Sequence, residues 1–374
     1  DNAGDVNGDG YDDVLICAFQ HDNGQTNEGI CYVYLGSATG PSNTPDWSFE
    51  GDQTSAQLGI TGDGIGDVNG DGFADVALGS STYDAGQTNE GKVFVFYGSA
   101  TGLPATPNWT TESNQAESQL GRNMDAAGDV NGDGYADLII GNYLYDDGQT
   151  NEGRAWLYYG GPQGFTTPGW WWDSNQANAN GGFDVAGAGD INGDGYDDLA
   201  IGAYKWENSG QTDEGIVYLF LGSATGPGSA VWNYQGNSSG AECGINIDRA
   251  GDVNGDGYGD LVIGCWRVDL GSGDDYGQAH LILGNGTTLN SGASYTASGG
   301  QYDRMGSAVA GVGDVNADGH ADIAFGASHW PTANRNGRAW LYLGHATAAG
   351  IITSPYWQVT NTNNDAEYGR KISA

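Results

Sequence analysis

Apolar positions in this chain come in short runs and never in long ones. A run rich in Leu, Ile and Val, such as Leu138–Gly141, is followed after a polar stretch by an alternating aromatic run, such as Ala155–Tyr159 or Val93–Tyr97. A small or apolar segment opening on Gly precedes them, as in Leu120–Ala127. A fourth piece carries one large aromatic, at Trp47, Trp109, Trp171, Trp232, Tyr295 and Trp357. Turn-forming stretches separate the pieces: GQTNEG at Gly24–Gly29 and Gly86–Gly91, and GSATG at Gly36–Gly40, Gly98–Gly102 and Gly222–Gly226. Short strands punctuated by Gly and Asn predict antiparallel sheet. No long 3.6-period apolar stretch occurs, which argues against an α-rich fold.

The same four-piece unit recurs through the whole chain. Its marker reads DVNGDGYDD at Asp5–Asp13, DVNGDGFAD at Asp67–Asp75, DVNGDGYAD at Asp129–Asp137, DINGDGYDD at Asp190–Asp198, DVNGDGYGD at Asp252–Asp260 and DVNADGHAD at Asp314–Asp322. The markers stand 61 or 62 residues apart. That regularity implies one supersecondary unit stacked six times. Four strands per unit predict an all-β fold, a six-bladed β-propeller of four-stranded antiparallel blades forming a single domain over residues 1–374. In the middle repeats a Gly (Gly59, Gly121, Gly306) lies eight residues ahead of the marker, opening a first strand, and the first repeat lacks this strand. Tyr368–Ala374 hold an unpaired copy around Gly369, so the C-terminal strand is expected to complete the first blade and close the ring, removing two open sheet edges.

The nine-residue marker carries side-chain oxygen at positions 1, 3, 5 and 9. These are Asp5, Asn7, Asp9 and Asp13; Asp67, Asn69, Asp71 and Asp75; Asp129, Asn131, Asp133 and Asp137. In the second half they are Asp190, Asn192, Asp194 and Asp198; Asp252, Asn254, Asp256 and Asp260; Asp314, Asn316, Asp318 and Asp322. Calcium takes several hard oxygen ligands, carboxylate and carbonyl together. Position 7 (Tyr11, Phe73, Tyr135, Tyr196, Tyr258 and His320) is assigned a backbone carbonyl ligand, and Gly at position 6 permits the bend. Three carboxylates in one tight loop repel without a cation, so about six Ca2+ are expected, one per repeat. An EF-hand would place Glu at position 12, where Ile16, Leu78, Ile140, Ile201, Ile263 and Phe325 stand in a predicted strand. The metal chemistry is EF-like and the scaffold is β. Ala317 replaces the position-4 Gly, which makes the sixth loop the weakest site.

On these residues the chain resembles the FG-GAP repeat family, which includes the repeats of the integrin α-subunit propeller and of many bacterial surface proteins. The FG element stands at Leu58–Gly59, Leu120–Gly121, Gly181–Gly182, Cys243–Gly244, Met305–Gly306 and Tyr368–Gly369. The GAP element stands at Ile201–Gly202–Ala203 and Phe325–Gly326–Ala327, with variants at Leu78–Gly79–Ser80 and Ile140–Gly141–Asn142. The resemblance implies adhesion or glycan binding and names no ligand. Integrin propellers and related propeller lectins have seven blades, against six copies here.

Composition narrows the function. The formal charge is −37, with only 11 Lys and Arg among 374 residues. That excludes a nucleic-acid binder working through basic patches and disfavours anionic membrane surfaces. No apolar run is long enough for membrane insertion. The sequence opens inside a marker and reads as a processed piece of a longer protein, secreted or at the cell surface.

Cys17 and Cys31 flank a hairpin loop, and Cys243 and Cys265 lie in neighbouring strands of the fifth repeat, so two local disulfides are expected, with four buried thiols as the alternative. The fourth-strand aromatics are assigned to inter-blade core. A second ring stands eight residues after each marker, at His21, Tyr83, Tyr145, Trp206, Val268 and Trp330, in loops at the end of the blade opposite the Asp loops. Aromatic faces stack on sugar rings and anchor protein partners, so His21, Tyr83, Tyr145, Trp206 and Trp330 are the candidate ligand residues, loop packing being the alternative. The five His, at 21, 280, 320, 329 and 345, show no metal-ligand spacing, and no G-x-S-x-G occurs. The expected function is a non-catalytic binding or adhesion module for a glycan or an extracellular protein. A structural spacer of a larger surface protein is a second reading. A polysaccharide-degrading propeller enzyme is a third, with Glu242 or Asp274 as its single-repeat acid.

Overall fold

The computed structural model describes residues 1–270, 275–330, 336–360 and 369–372. Among these every regular element is a strand, and the strands form six four-stranded antiparallel sheets. The first sheet is β1 (Asn2–Gly4), β2 (Asp13–Ala18), β3 (Ile30–Tyr34) and β4 (Trp47–Glu50). The second is β5 (Thr61–Gly66), β6 (Asp75–Ser80), β7 (Lys92–Phe96) and β8 (Trp109–Glu112), and the third β9 (Met124–Gly128), β10 (Asp137–Asn142), β11 (Arg154–Tyr158) and β12 (Trp170–Asp173). The fourth is β13 (Gly181–Gly189), β14 (Asp198–Ala203), β15 (Ile216–Phe220) and β16 (Trp232–Gln235). The fifth is β17 (Cys243–Gly251), β18 (Asp260–Cys265), β19 (Gln278–Ile282) and β20 (Tyr295–Ser298), and the sixth β21 (Met305–Gly313), β22 (Asp322–Ala327), β23 (Arg338–Tyr342) and β24 (Trp357–Thr360). Each sheet is a meander in chain order, so the all-β architecture and the count of six four-stranded blades match the repeat.

The chain divides into two compact units: Asp1–Val185 with Ser223–Gly226, and Ala186–Gly222 with Pro227–Ala374. Within the first unit, one core cluster joins the first two sheets (Leu15, Val33, Leu78, Phe96) and another the second and third (Ile65, Val95, Leu138, Trp156). Within the second unit, Ala200, Leu219, Ile263 and Ile282 join the fourth and fifth sheets, and Val262, Leu281, Phe325 and Tyr342 the fifth and sixth. The second strands β6, β10, β14, β18 and β22 are buried at every residue. A strand covered on both faces needs apolar residues on both, which is why these read as continuous runs rather than alternations. Ile16 of β2 is 50% exposed where its counterparts Leu78, Ile140, Ile201, Ile263 and Phe325 are fully buried.

The glycines of the GAP and FG elements meet one another. A Cβ added to Gly79 or Gly141 would strike the carbonyl oxygen of Gly121 or Gly182, and one added to Gly202, Gly264 or Gly326 would strike that of Gly244, Gly306 or Gly369. Both motifs therefore record one close approach between the second strand of a repeat and the first strand of the next.

Two expectations need correction. The first sheet does have a first strand: Asn2 and Gly4 of β1 pair with Val14 and Asp13, and the Asp1 backbone exchanges two 2.9 Å hydrogen bonds with Leu15. Three residues suffice to reach two register positions, against nine in β13, β17 and β21. Of the C-terminal segment expected to complete that blade, Tyr368 and residues 373–374 lie outside the described residues. Gly369 accepts a hydrogen bond from Ser307 Oγ at 3.3 Å, within the second unit.

The second correction concerns the third repeat, where Trp170 faces Leu157 as Trp109 faces Val95. Trp170, not Trp171, is thus the fourth-strand equivalent, and Trp171 is 55% exposed. The loop before β12 is one residue shorter, and a one-residue slip turns a strand's side chains to the other face. The packing role holds in the first, second and fifth repeats: the rings of Trp47 and Phe96 lie 4.8 Å apart, those of Trp109 and Tyr158 4.9 Å, and those of Tyr295 and Tyr342 5.6 Å. Trp357 is half exposed. Disulfides join Cys17 to Cys31 across β2–β3, with Cα atoms 4.1 Å apart, and Cys243 to Cys265 across β17–β18, at 4.0 Å.

Candidate metal loops and ligand face

The six Asp loops connect the first strand of each sheet to the second and share one hydrogen-bond pattern. In the third, Asp129 accepts from the N–H of Asp133 (3.0 Å) and Gly134 (2.9 Å). Asn131 Oδ1 accepts from Asp133 N at 2.9 Å, and Asp133 Oδ1 from Tyr135 N at 3.1 Å. The position-6 glycines take φ of 89–91°, a conformation other residues rarely adopt. Ala317 holds the left-handed conformation of position 4 at φ 59°, at a steric cost that the five glycines avoid.

Position 9 is different in kind. Asp137 is fully buried, its two oxygens accepting from Val130 N (3.0 Å) and Gly160 N (2.9 Å). Asp13, Asp75, Asp198, Asp260 and Asp322 make the same pair of bonds. This carboxylate ties the Asp loop to the start of the loop after the third strand. Burial, reinforced by the carboxylates at positions 1 and 5, pushes Asp75, Asp137, Asp198 and Asp260 up to about 7, and raises Asp13 and Asp322 as well.

These residues fit a calcium ion by the chemistry of their donors. Each loop offers three carboxylates, an amide oxygen and a main-chain carbonyl, all hard oxygens. A carboxylate oxygen that accepts one N–H retains a further lone pair for a cation. The position-9 carboxyls are raised chiefly by burial, and the nearby carboxylates at positions 1 and 5 add to it. The side chains are not drawn onto one point, however: among the described residues, no loop brings its three carboxylates within 4.8 Å of one another. The position-1 and position-5 oxygens are held on the loop's own backbone, and position 9 is shared with the loop after the third strand.

The sequence did not reveal how neighbouring loops are joined. The position-7 ring of one repeat lies on the position-4 glycine of the repeat before it. A Cβ at Gly8, Gly70, Gly193 or Gly255 would strike Phe73, Tyr135, Tyr258 or His320. Ala74 N donates to Asp5 O (3.0 Å) and Ala136 N to Asp67 O (3.1 Å); Gly259 and Ala321 N do the same to Asp190 and Asp252 O (3.0 Å each). The pairing of Gly at position 4 with a ring one repeat later was the available signal.

At the other end of each sheet, the loop between the second and third strands carries the second ring of aromatics. Gly29, Gly91, Gly153, Gly215, Gly277 and Gly337 N donate to the carbonyls of His21, Tyr83, Tyr145, Trp206, Val268 and Trp330. One backbone turn thus presents four kinds of side chain over six repeats. Three carry a cation from their own sheet: Lys92 lies 5.5 Å from the Tyr83 ring centre, Arg154 4.5 Å from Tyr145 and Arg338 3.3 Å from Trp330. Tyr83 and Tyr145 also pack edge-on against Phe94 and Trp156, and Val268 is buried. His21, Trp206 and Trp330 are partly exposed. Glu242, a candidate catalytic acid, binds Arg267 Nη1 (2.8 Å) and Trp266 Nε1 (2.6 Å), and Asp274 lies outside the described residues. All four Cys are in disulfides. Among the described residues no helix is long and apolar enough to cross a membrane.

Comparison with known proteins identifies the repeat. The FG-GAP repeat family matches residues 125–158, 181–220 and 305–342, and the FG-GAP-like repeat matches residues 67–140. The chain therefore carries FG-GAP repeats, matched over strands of its second, third, fourth and sixth sheets. It is 32% identical over 166 residues to integrin alpha-5 of Xenopus laevis, covering 42% of this chain and 16% of the relative. It is 36% identical over 118 residues to integrin alpha-PS2 of Drosophila melanogaster, covering 30% and 8%. It is also 32% identical over 170 residues to mouse phosphatidylinositol-glycan-specific phospholipase D, covering 43% and 20%. The chain spans a fifth or less of the length of these relatives.

Proposed function

We propose that this chain is an extracellular, non-catalytic binding module whose blades are set by calcium, about one ion in each of the six Asp loops, and that it takes a glycan or a protein ligand at the opposite end of the sheets. The observation that carries the calcium reading is the buried position-9 carboxylate, repeated six times beside two further carboxylates. In each loop Asp, Asn and Asp at positions 1, 3 and 5, the position-7 carbonyl and Asp at position 9 would hold the ion. When bound, the ion neutralises the loop's carboxylates and cross-links its backbone. The likeness to integrin α chains supports adhesion. The phospholipase D match supports a module that also accompanies enzymes, since the aligned part is 20% of that protein.

The candidate ligand face consists of His21, Tyr83, Tyr145, Trp206 and Trp330. Similar shallow positions on successive blades favour avidity toward a repetitive ligand such as a polysaccharide. Glycan-array binding with calcium present tests this reading, with Trp206→Ala and Trp330→Ala as the variants. Binding should fall at least tenfold while the melting temperature moves by no more than about 2 °C. Undiminished binding by the double variant would remove this face from consideration.

A further inference from the structure

Three carboxylates converge at one place among the described residues, and it is not an Asp loop. Glu28, Glu50 and Asp52 each present one oxygen, and the three oxygens lie within 4.8 Å of one another. Glu28 ends the loop between β2 and β3, while Glu50 closes β4. The cluster sits at the end of the first sheet opposite Asp5–Asp13. Glu28 is fully buried. Its Oε1 accepts from the N–H groups of Asn23 (2.5 Å) and Gln25 (3.5 Å), but its Oε2 is buried with no hydrogen-bond partner. Asn23 Nδ2 donates to both Glu50 oxygens, at 2.8 and 3.0 Å, and so fixes that carboxylate in place.

The second and third sheets show what is missing. Lys92 faces Glu112 across the strands and Arg154 faces Asp173. Lys92 Nζ lies 3.6 Å from Glu112, and Arg154 pairs with both Asp173 and Asp147. In the first sheet the residue facing Glu50 is Ile30, which is buried and carries no charge. Two residues beyond the strand, Asn114 and Asn175 of the other sheets are replaced by Asp52. The first repeat has thus lost a cation and gained a carboxylate at one spot. Glu214 in the fourth sheet also has one unpartnered oxygen, but there Ile216 faces the neutral Gln235 and Asn237 stands in the place of Asp52, and among the described residues no three carboxylates converge beside it.

We propose that Glu28, Glu50 and Asp52 bind a divalent cation of the calcium class, which takes the place of the missing Lys92 or Arg154 charge. Calcium–oxygen distances of about 2.3–2.6 Å hold any two oxygens of one ion within about 5 Å of each other, and the three oxygens here, all within 4.8 Å of one another, meet that limit. A buried carboxylate oxygen without a partner is unfavourable, and a bound cation supplies the missing interaction. The remaining coordination positions on the exposed Asp52 side are open to water.

Equilibrium calcium counting by elemental analysis after gel filtration tests the site, with wild type compared against Glu50→Gln. The six Asp loops are intact in both, so the difference reads this site alone: one calcium per chain fewer in Glu50→Gln. Ile30→Lys, which restores the ammonium of the second sheet, should also lower the count by one. Should either variant fail to fold, Asp52→Asn at an exposed position reads the same difference. An equal count in wild type and variants overturns the proposal. A wild type holding a single calcium that Glu50→Gln abolishes would uphold it while refuting calcium in the loops.

Discussion

The two ends of each sheet follow different rules. At one end six nine-residue loops repeat the same contacts, down to the pair of backbone N–H groups on each position-9 carboxylate. At the other end the loops repeat a backbone turn but vary its side chain through His21, Tyr83, Tyr145, Trp206, Val268 and Trp330. Under the calcium proposal the first end is uniform because a cation tolerates little change in its donors. A surface that meets a ligand, or only packs against its own sheet, needs the turn but not one residue type. Repetition at both ends thus has two physical sources, donor chemistry in the first case and hairpin closure in the second.

Within the uniform end a further division can be broken by mutation. Position 9 is a buried brace and position 5 is an exposed donor. Asp137→Ala strips two buried N–H groups of their acceptor and should cost about 3 kcal/mol in urea unfolding in chelator, and more with calcium present, where a metal ligand is lost as well. Asp133→Ala, in chelator, should stay within about 0.5 kcal/mol of wild type and lose one bound calcium in its presence. Equal costs for the two variants in chelator would erase the distinction between brace and donor.

A smaller effect lies between the two ends, on β19. His280 is buried against the Tyr234 ring, with Nδ1 3.0 Å from Thr296 Oγ1, and burial pushes its imidazole down to about 4. The folded chain holds this group neutral while the unfolded chain, near 6.5, binds the proton more readily. Its share of stability is therefore full above pH 6.5 and declines as pH falls through 6.5 toward 4. Subtracting the profile of His280→Gln isolates this slope from the carboxylates. Parallel profiles for the two proteins would show that His280 does not titrate across unfolding in this range.

Much of the fold was legible because the repeat is strict. Six markers at 61- or 62-residue spacing gave the number of sheets, and the Leu-Ile-Val runs gave the strands covered on both faces. What escaped lay in the pairing of strands. The run Trp170–Trp171–Trp172 offers three candidates for one core position, and only the Leu157–Trp170 register chooses among them. The lone pair of register contacts made by Asn2 and Gly4 was too short to register as a strand. The acid cluster at Glu28 was invisible for the same reason: Ile30 and Glu50 are 20 residues apart, and their relation to Lys92 and Glu112 appears only across the hairpin. The loop donors were legible individually, but the ring-on-glycine contact joining Tyr135 to Gly70 was not.

The central claim is that calcium occupies the Asp loops and sets the blades. Thermal unfolding of the intact chain, with calcium and then with excess chelator, tests it most directly when paired with elemental analysis of the calcium-loaded protein. Binding to the folded state alone contributes about 4 kcal/mol per site at 1,000 times Kd. The account predicts calcium in at least the five loops with Gly at position 4 and a fall in melting temperature of well over 10 °C in chelator. A metal-free protein whose melting curve chelator leaves unchanged would contradict it.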